Sequence, residues 1–199
     1  MKTLTRVIAA VLAVVSIQTV TAQNKDYAGV LAECAQKSIM NITASGCLVG
    51  IPAPDFTATA VDGKTISLNK LKGKVVVLNF WFIACTPCQV EAPVLKKIAA
   101  QFEKDDVVFI SIAREKQADL EKYLKSDQFF ANNIADPASA VCKDVYRVLG
   151  FPTTIVIGRD GRIQYYTLGG RVTEDAASKD LHEKLVPQIS EALNKPVSK

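Results

Sequence analysis

The sequence is poor in several features that would indicate particular functions. Its 199 residues contain one histidine, and the net charge is only +4 with no block of like charge. A nucleic-acid or anionic-membrane partner usually requires a concentrated basic surface, so neither is implied. There is no internal repeat and no low-complexity tract. Since 49% of the residues are hydrophobic, one globular domain with a sizeable core is the simplest organisation.

The N-terminus lacks an apolar run long enough to cross a membrane. The apolar stretch after Lys2 and Arg6 has only about 14 residues, short of the ~20 that a spanning helix needs. With Val20-Thr21-Ala22 as a cleavage site, residues 1–22 are predicted to be a secretory signal, so the mature protein is expected in the periplasm or otherwise exported. An N-terminal membrane anchor is the alternative, and no cysteine is placed for a lipid anchor.

An exported chain meets an oxidising compartment, where cysteines tend to form disulfides. The cysteines here are Cys34, Cys47, Cys85, Cys88 and Cys142. The first two lie in a leading segment, residues 23–50, and a Cys34–Cys47 disulfide is predicted. Pairing with Cys142, dimer links or free thiols are the alternatives. Cys142 itself is expected to be a buried small hydrophobic residue.

The most informative motif is Cys85-Thr86-Pro87-Cys88, which closes a predicted strand, Val75 to Phe82, and opens a predicted helix from Thr86 to about Phe102. A helix N-terminus favours a thiolate, so Cys85 is predicted to be the exposed attacking thiol. Cys88, one turn inside, would be the shielded resolving thiol. Pro87 fits the first turn because its missing N–H has no helical acceptor there.

Glu91 lies one helical turn beyond Cys88. A carboxylate in this place can take up or return the proton of Cys88 when that thiol attacks a mixed disulfide. An ordinary solvated helix glutamate is the alternative.

Residues 150–154 contain a second informative feature, Phe151-Pro152 directly before a predicted strand. A cis bond would turn the chain and present the Phe151 backbone to an extended substrate, whereas a trans proline would only start the strand.

The order of predicted elements indicates one mixed-sheet α/β domain. A helix over Asp26 to Met40 precedes a hairpin that turns at Asp62-Gly63. The other predicted strands and helices alternate as Val75 to Phe82, Thr86 to Phe102, Val107 to Ala113, Gln117 to Leu124, Phe129 to Ala135, Ala138 to Leu149, Thr153 to Ile157, Ile163 to Thr167 and Thr173 to Leu193. Strands that alternate with helices in this way are typical of βαβ units.

In four motifs the chain resembles the exported TlpA/ResA-like branch of thioredoxin-fold thiol-disulfide oxidoreductases, within the AhpC/TSA-redoxin superfamily. The motifs are Gly50-Ile-Pro-Ala-Pro-Asp-Phe56, Lys72-Gly-Lys-Val-Val-Val-Leu-Asn-Phe-Trp81, Cys85-Thr-Pro-Cys-Gln-Val-Glu-Ala-Pro93 and Gly150-Phe-Pro-Thr-Thr154. The resemblance runs from about Ile51 to Leu193. It implies a thioredoxin-like domain over residues 51–199, with an added N-terminal β-hairpin, a central αβ insertion over 107–135, and helices flanking the sheet.

The resemblance also implies roles for individual residues. Cys85 would be the nucleophile, Cys88 the resolving thiol, Pro152 a cis-proline and Glu91 the active-site glutamate. Asn79 stands where cytosolic thioredoxins keep a buried aspartate. The expected substrate groove is assigned to Trp81, Thr86, Pro87, Phe151 and Thr153. This chain departs from the family in having Ala84 before the first cysteine and the large Phe151 before the proline.

The function predicted from these features is an exchange of electrons between the Cys85–Cys88 dithiol and protein disulfides or dithiols, most simply as a reductase recharged by a membrane redox partner. Oxidase and isomerase roles stay open, as do the substrate and the oligomeric state. No cofactor and no metal are expected, and Gln89 after the CxxC excludes covalent haem attachment. The alternatives are a copper chaperone, for which His182 is poorly placed, and a thiol peroxidase.

Overall fold

The computed structural model describes residues 26–37, 46–126 and 132–196. The predicted signal, residues 1–22, and part of the predicted extended segment, residues 129–131, lie outside them. The strands are β1 (Thr57–Thr59), β2 (Thr65–Ser67), β3 (Val75–Trp81), β4 (Val107–Ala113), β5 (Asn133–Ala135), β6 (Thr153–Ile157) and β7 (Ile163–Leu168). The helices are α1 (Tyr27–Lys37), α2 (Thr86–Gln101), α3 (Gln117–Ser126) and α4 (Glu174–Asn194).

Within these residues, five strands form the main sheet in the order β5-β4-β3-β6-β7. The pairs β3–β4 and β4–β5 are parallel, while β3–β6 and β6–β7 are antiparallel. This is the mixed-sheet α/β architecture that the sequence predicted. The predicted hairpin forms as well, but β1 and β2 make a separate two-stranded sheet that touches the main sheet through a bridge between Ala60 and Ile134.

The central strand β3 explains how the core is arranged, because all seven of its residues are buried. Alternate side chains point to opposite faces of a sheet, so the strand contributes to two separate hydrophobic clusters. Val75, Val77 and Trp81 pack in the cluster with α2 and α4. Leu78 and Phe80 pack in the other cluster, which α1 also enters. The cysteine motif therefore follows a strand that is covered on both faces.

The N-terminal segment shares this core. Tyr27, at the start of α1, is buried, and its hydroxyl donates a hydrogen bond of 2.7 Å to the carbonyl oxygen of Tyr146. The two rings meet edge to face with their centroids 5.7 Å apart. Burial raises the pKa of the Tyr27 hydroxyl well above its ordinary value.

Within the described residues, no helix combines the length and apolarity needed to span a membrane.

The predicted helix from Ala138 to Leu149 is wrong in type and length. The chain there forms a short π-helical turn, Ala140–Val145, in which the N–H of Tyr146 bonds to the carbonyl of Val141. Ser139 and Arg147 flank the turn in the left-handed region, at φ of 56° and 47°. Because left-handed residues cannot continue a right-handed helix, the two of them confine the helical turn between them.

Candidate active site

The two cysteines lie where β3 gives way to α2. Cys85 is the N-cap residue of α2, and its Sγ accepts a hydrogen bond from the backbone N–H of Cys88 at 3.3 Å. The two residues are joined by a disulfide, with their Cα atoms 5.2 Å apart. Pro87 occupies the first turn, where no helical acceptor exists for its missing N–H. The helix start thus supplies both the spacing for the bond and a backbone N–H aimed at the Cys85 sulfur.

Both sulfur-bearing residues are buried, which corrects the expectation that Cys85 would be exposed. Cys85 is 4% and Cys88 2% exposed, and both belong to the hydrophobic cluster between the sheet and α2. Cys85 faces inward because it caps the helix and bonds to Cys88. The neighbours Ala84 and Thr86 are exposed. A partner therefore has to approach the disulfide across these two residues.

The loop before Cys85 is fixed from two directions. The N–H of Ile83 donates to Oε1 of Glu115 at 2.8 Å, and Nε2 of Gln89 donates to the carbonyl oxygen of Ile83 at 2.6 Å. Glu115 follows β4 and Gln89 lies in α2, so the loop is tied to the elements on both sides of it. A nucleophile on a loop held this way keeps its position without relying on the substrate.

The Phe151–Pro152 peptide bond is cis, as the resemblance implied. The ring of Phe151 meets that of Phe82, which lies in the loop before the dithiol, edge to face at a centroid distance of 5.3 Å. The guanidinium of Arg114 lies 5.4 Å from the centroid of Phe151, close enough for a cation–π contact. These contacts place the residue before the cis-proline beside the dithiol loop.

Glu91 is buried rather than solvated, with 4% of its surface exposed. Burial raises the pKa of its carboxyl to about 7, the negative charge of Asp180 adds to this rise, and the charge and backbone of Arg171 oppose it. A Cβ atom on Gly170 would lie 2.6 Å from Oε1 of Glu91 and 2.9 Å from Cγ of Pro152. The carboxyl and the cis-proline therefore share one neighbour.

Asn79 is the buried polar residue of β3. Its side chain is 2% exposed, and its Nδ2 donates to Oγ1 of Thr154, on the neighbouring strand β6, at 3.0 Å. An amide cannot exchange protons near neutral pH. Of the two buried residues Asn79 and Glu91, only Glu91 can therefore act as an acid or base.

Two residues assigned to the substrate groove do not line a surface. Trp81 is completely buried, and its Nε1 donates to Oγ of Ser111 at 2.6 Å. Thr153 is also completely buried, and its hydroxyl donates to the carbonyl of Gly150 at 2.7 Å. Both lie in central strands covered on each face, so those predictions are wrong. Thr86, Pro87 and Phe151 remain at least partly accessible.

The remaining cysteines differ from the prediction in one respect. Cys47 is an exposed thiol outside any disulfide, whereas Cys34 is buried against the core, so the predicted Cys34–Cys47 disulfide is wrong. Cys34, on α1, is packed into the core, whereas Cys47 lies beyond that helix and is exposed. Cys142 is buried, as expected. Burial raises the pKa of its thiol to about 11, and the negative charge of Asp136 acts in the same direction.

Three residues that act on or contact Glu91 were not predicted from the sequence: Gly170, Arg171 and Asp180. They lie far along the chain from the dithiol, between β7 and the middle of α4. The Gly169-Gly170 pair was the one local signal, since two glycines after a strand often mark a close approach of the backbone. No spacing in the sequence connects Asp180 with Glu91.

A disulfide-forming CxxC at the start of the helix that follows a central strand, with a cis-proline alongside, is the site of a thioredoxin-like enzyme. The protein is a thiol-disulfide oxidoreductase of this class. Residues 49–166 match the model of the AhpC/TSA family, and the chain belongs to that family.

Known proteins support the same class. Over 127 residues, 63% of this chain and 73% of the relative, the chain is 30% identical to the thiol-disulfide oxidoreductase ResA of Bacillus cereus. It is 28% identical over 138 residues to the thioredoxin-like protein YneN of Bacillus subtilis, covering 67% and 79% of the two chains. The crystal structure of a thiol:disulfide interchange protein of the thioredoxin family from Chlorobium tepidum superposes with a TM-score of 0.58 at 26% identity, covering 72% of this chain and 96% of that one.

Proposed function

We propose that the protein is exported and acts as a reductase, passing two electrons from the Cys85–Cys88 dithiol to disulfides of other proteins. The predicted signal over residues 1–22 supports export. The proline directly before Cys88 supports the reductase direction, because reducing thioredoxins also have a proline before the second cysteine. The observation that carries the thiol-disulfide exchange itself is the buried Glu91, one turn from the buried Cys88 and with a pKa raised to about 7. A thiol shielded from water needs such a proton acceptor before it can attack.

The proposed reaction has two steps. In the first, the thiolate of Cys85 attacks one sulfur of a substrate disulfide, which forms a mixed disulfide and releases the other substrate sulfur as a thiolate. In the second, Cys88 gives its proton to the Glu91 carboxylate and its sulfur attacks Sγ of Cys85. The Cys85–Cys88 disulfide forms, the second substrate thiolate leaves, and two electrons have moved to the substrate.

The surface around the dithiol suits an extended protein segment as the substrate. Thr86 and Ala84 are exposed beside Cys85, and Phe151 presents a half-buried ring supported by Phe82. The backbone before a cis-proline can pair with an extended chain. Each turnover leaves the enzyme oxidised, so a donor must return two electrons, and a membrane redox partner is proposed for that step.

The reduction potential of the Cys85–Cys88 couple tests the direction of electron flow. We expect a value nearer the roughly −270 mV of thioredoxin than the roughly −120 mV of a strong oxidant, together with reduction of insulin by the dithiol form. A strongly oxidising couple that fails to reduce insulin would contradict the reductase proposal. Export is tested separately by expressing residues 1–199 and sequencing the N-terminus of the extracytoplasmic product, which should begin at Gln23.

A further inference from the structure

The connection between β7 and α4 passes directly over the Glu91 carboxyl. At its start, the N–H of Gly169 donates to the carbonyl oxygen of Pro152 at 2.8 Å. The next residue, Gly170, approaches both Oε1 of Glu91 and the ring of Pro152 so closely that a methyl group would not fit. The connection therefore contacts the proposed proton acceptor and the cis-proline at one point.

An ion pair fastens this connection to α4. Nη2 of Arg171 lies 3.0 Å from Oδ1 of Asp180, and Nζ of Lys184 lies 2.6 Å from the same oxygen. The Asp180 side chain is only 25% exposed, while those of Arg171 and Lys184 are about half exposed. The charge and the backbone of Arg171 both lower the pKa of the Glu91 carboxyl. Holding the Arg171 side chain therefore also holds the residue that follows Gly170 over Glu91.

The charged and titratable groups around Glu91 come from three elements. Arg171, in the connection, favours the charged carboxylate, and Asp180, on α4, disfavours it. Lys184, on α4, is bound to Asp180. Tyr165, on β7, is close enough to Glu91 that the carboxylate contributes to raising the pKa of its hydroxyl. The Arg171–Asp180 pair thus sets two opposite charges against one buried carboxyl.

We propose that Arg171 and Asp180 are positioning residues, which hold the Glu91 carboxyl against Pro152 and set how readily it exchanges a proton. The proposal rests on the proposed function only in naming Cys88 as the source of that proton. Neither residue needs to touch the substrate or the sulfurs. They act through Glu91, by fixing the connection and by their opposed charges.

The opposed charges give the two residues effects of opposite sign. Asp180→Asn removes the charge that repels the carboxylate and releases the Arg171 cation, so the titration midpoint of Glu91 should fall. Arg171→Met removes the cation and leaves Asp180 in place, so the midpoint should rise. Arg171→Lys keeps the charge and should restore most of the wild-type value. A loop that is only loosened would shift the midpoint in one direction in both variants.

The test is an NMR titration of the Glu91 side-chain carboxyl carbon in the oxidised protein, where Cys85 and Cys88 carry no titrating thiol. Glu91→Gln assigns the signal by removing it. We expect a wild-type midpoint near 7, a fall of at least about half a pH unit in Asp180→Asn and a rise of similar size in Arg171→Met. The matched control is Lys97→Met, because Lys97 forms an exposed ion pair with Glu174, between α2 and α4.

Unmoved midpoints in both variants, or shifts of the same sign, would overturn the proposal. So would an equal shift in the Lys97→Met control. Thermal unfolding of each variant confirms that the fold is intact. If Arg171→Met does not fold, the fall in Asp180→Asn together with a nearly unchanged midpoint in Arg171→Lys carries the test. Failure of the proposed function looks different: Glu91→Gln would resolve mixed disulfides at the wild-type rate, while the opposite shifts in the titration would still be found.

Discussion

Two regions of the molecule each bury a cysteine almost completely, yet they differ in chemistry. Cys85, 4% exposed, caps α2, receives the N–H of Cys88 and is bonded to its sulfur. Cys142, also 4% exposed, lies inside the π-helical turn and is an unbonded thiol. Its own N–H donates to Oδ2 of Asp136 at 2.9 Å. Burial is equal in the two regions, so burial does not decide which cysteine reacts.

The difference lies in what each sulfur faces. At Cys85 the neighbours are the N–H groups of a helix start and a second sulfur, both of which favour thiolate chemistry. At Cys142, burial and the negative charge of Asp136 raise the pKa of the thiol to about 11, and the positive charge of Arg114 opposes this rise. We infer that the N–H of the helix start and the second sulfur, rather than the degree of burial, suit Cys85 for redox chemistry.

Removing each sulfur in turn should give the largest contrast. Cys85→Ser should lower insulin reduction by about 10³-fold or more, because it removes the proposed nucleophile that forms the mixed disulfide. Cys142→Ala should leave the rate within about twofold of wild type, since it only replaces one small buried side chain by another. A turbidity assay measures both. A comparable loss in Cys142→Ala, with unfolding temperature unchanged, would contradict the division of roles.

Alkylation of the oxidised protein should separate the buried thiol of Cys142 from the exposed one of Cys47. At pH 8 iodoacetamide should modify Cys47 roughly several hundred times faster than Cys142, because the attacking species is an accessible thiolate. Peptide mapping by mass spectrometry over time gives both rates. Equal rates would show that the π-helical turn opens readily. Cys142 would then not be a protected buried thiol, and the comparison with Cys85 would fail.

Glu91→Gln tests whether a proton acceptor is part of what makes the dithiol region reactive. The carboxyl can accept a proton only when it is charged, so in the wild type the resolution of a mixed disulfide should accelerate as pH rises through about 7. The glutamine variant should lack this step and be slower by roughly 100-fold above it. Stopped-flow kinetics of the reduced protein with a disulfide substrate measure the profile. The exposed Glu183→Gln is the control and should keep the wild-type profile.

Gly170→Ala should have the smallest of the four effects. It should lower the stability of the fold through a contact beside the dithiol. Its methyl group would press on Glu91 and Pro152, so the free energy of unfolding should fall by about 1–3 kcal/mol. Gly46→Ala is the control, because a Cβ there meets no atom within 4 Å. Denaturant unfolding compares the two. An equal change in both variants would mean that the close contact at Glu91 carries no cost.

Much of the fold was predictable because the buried strands are continuous apolar runs. The strands Val107–Ala113 and Thr153–Ile157 have the bounds that the sequence predicted. The start of α2 was equally readable, since its cap, proline and cysteines are local signals. Periodicity failed at the π-helical turn, where contacts of Asp136 and two left-handed residues decide the conformation.

The parts of the candidate site that depend on local motifs were predictable, whereas contacts between residues far apart in the sequence were not. Cys85, Cys88 and the cis Pro152 follow from motifs, whereas the burial of Glu91 depends on Gly170, which reaches it only in the folded molecule. The Cys34–Cys47 spacing suited a disulfide, but α1 turns one side chain into the core. Trp81 and Thr153 showed how a motif position can be occupied by a core residue.

In the proposed reaction Cys85 attacks and Cys88 resolves, and Cys142 takes no part. Reduced Cys88→Ser, mixed with a protein disulfide substrate and digested for mass spectrometry, tests this division of roles. We predict a stable mixed disulfide through Cys85 alone, and none in the double variant Cys85→Ser with Cys88→Ser. A substrate linked through Cys142 or Cys47, or no trapped complex with Cys88→Ser, would contradict the account.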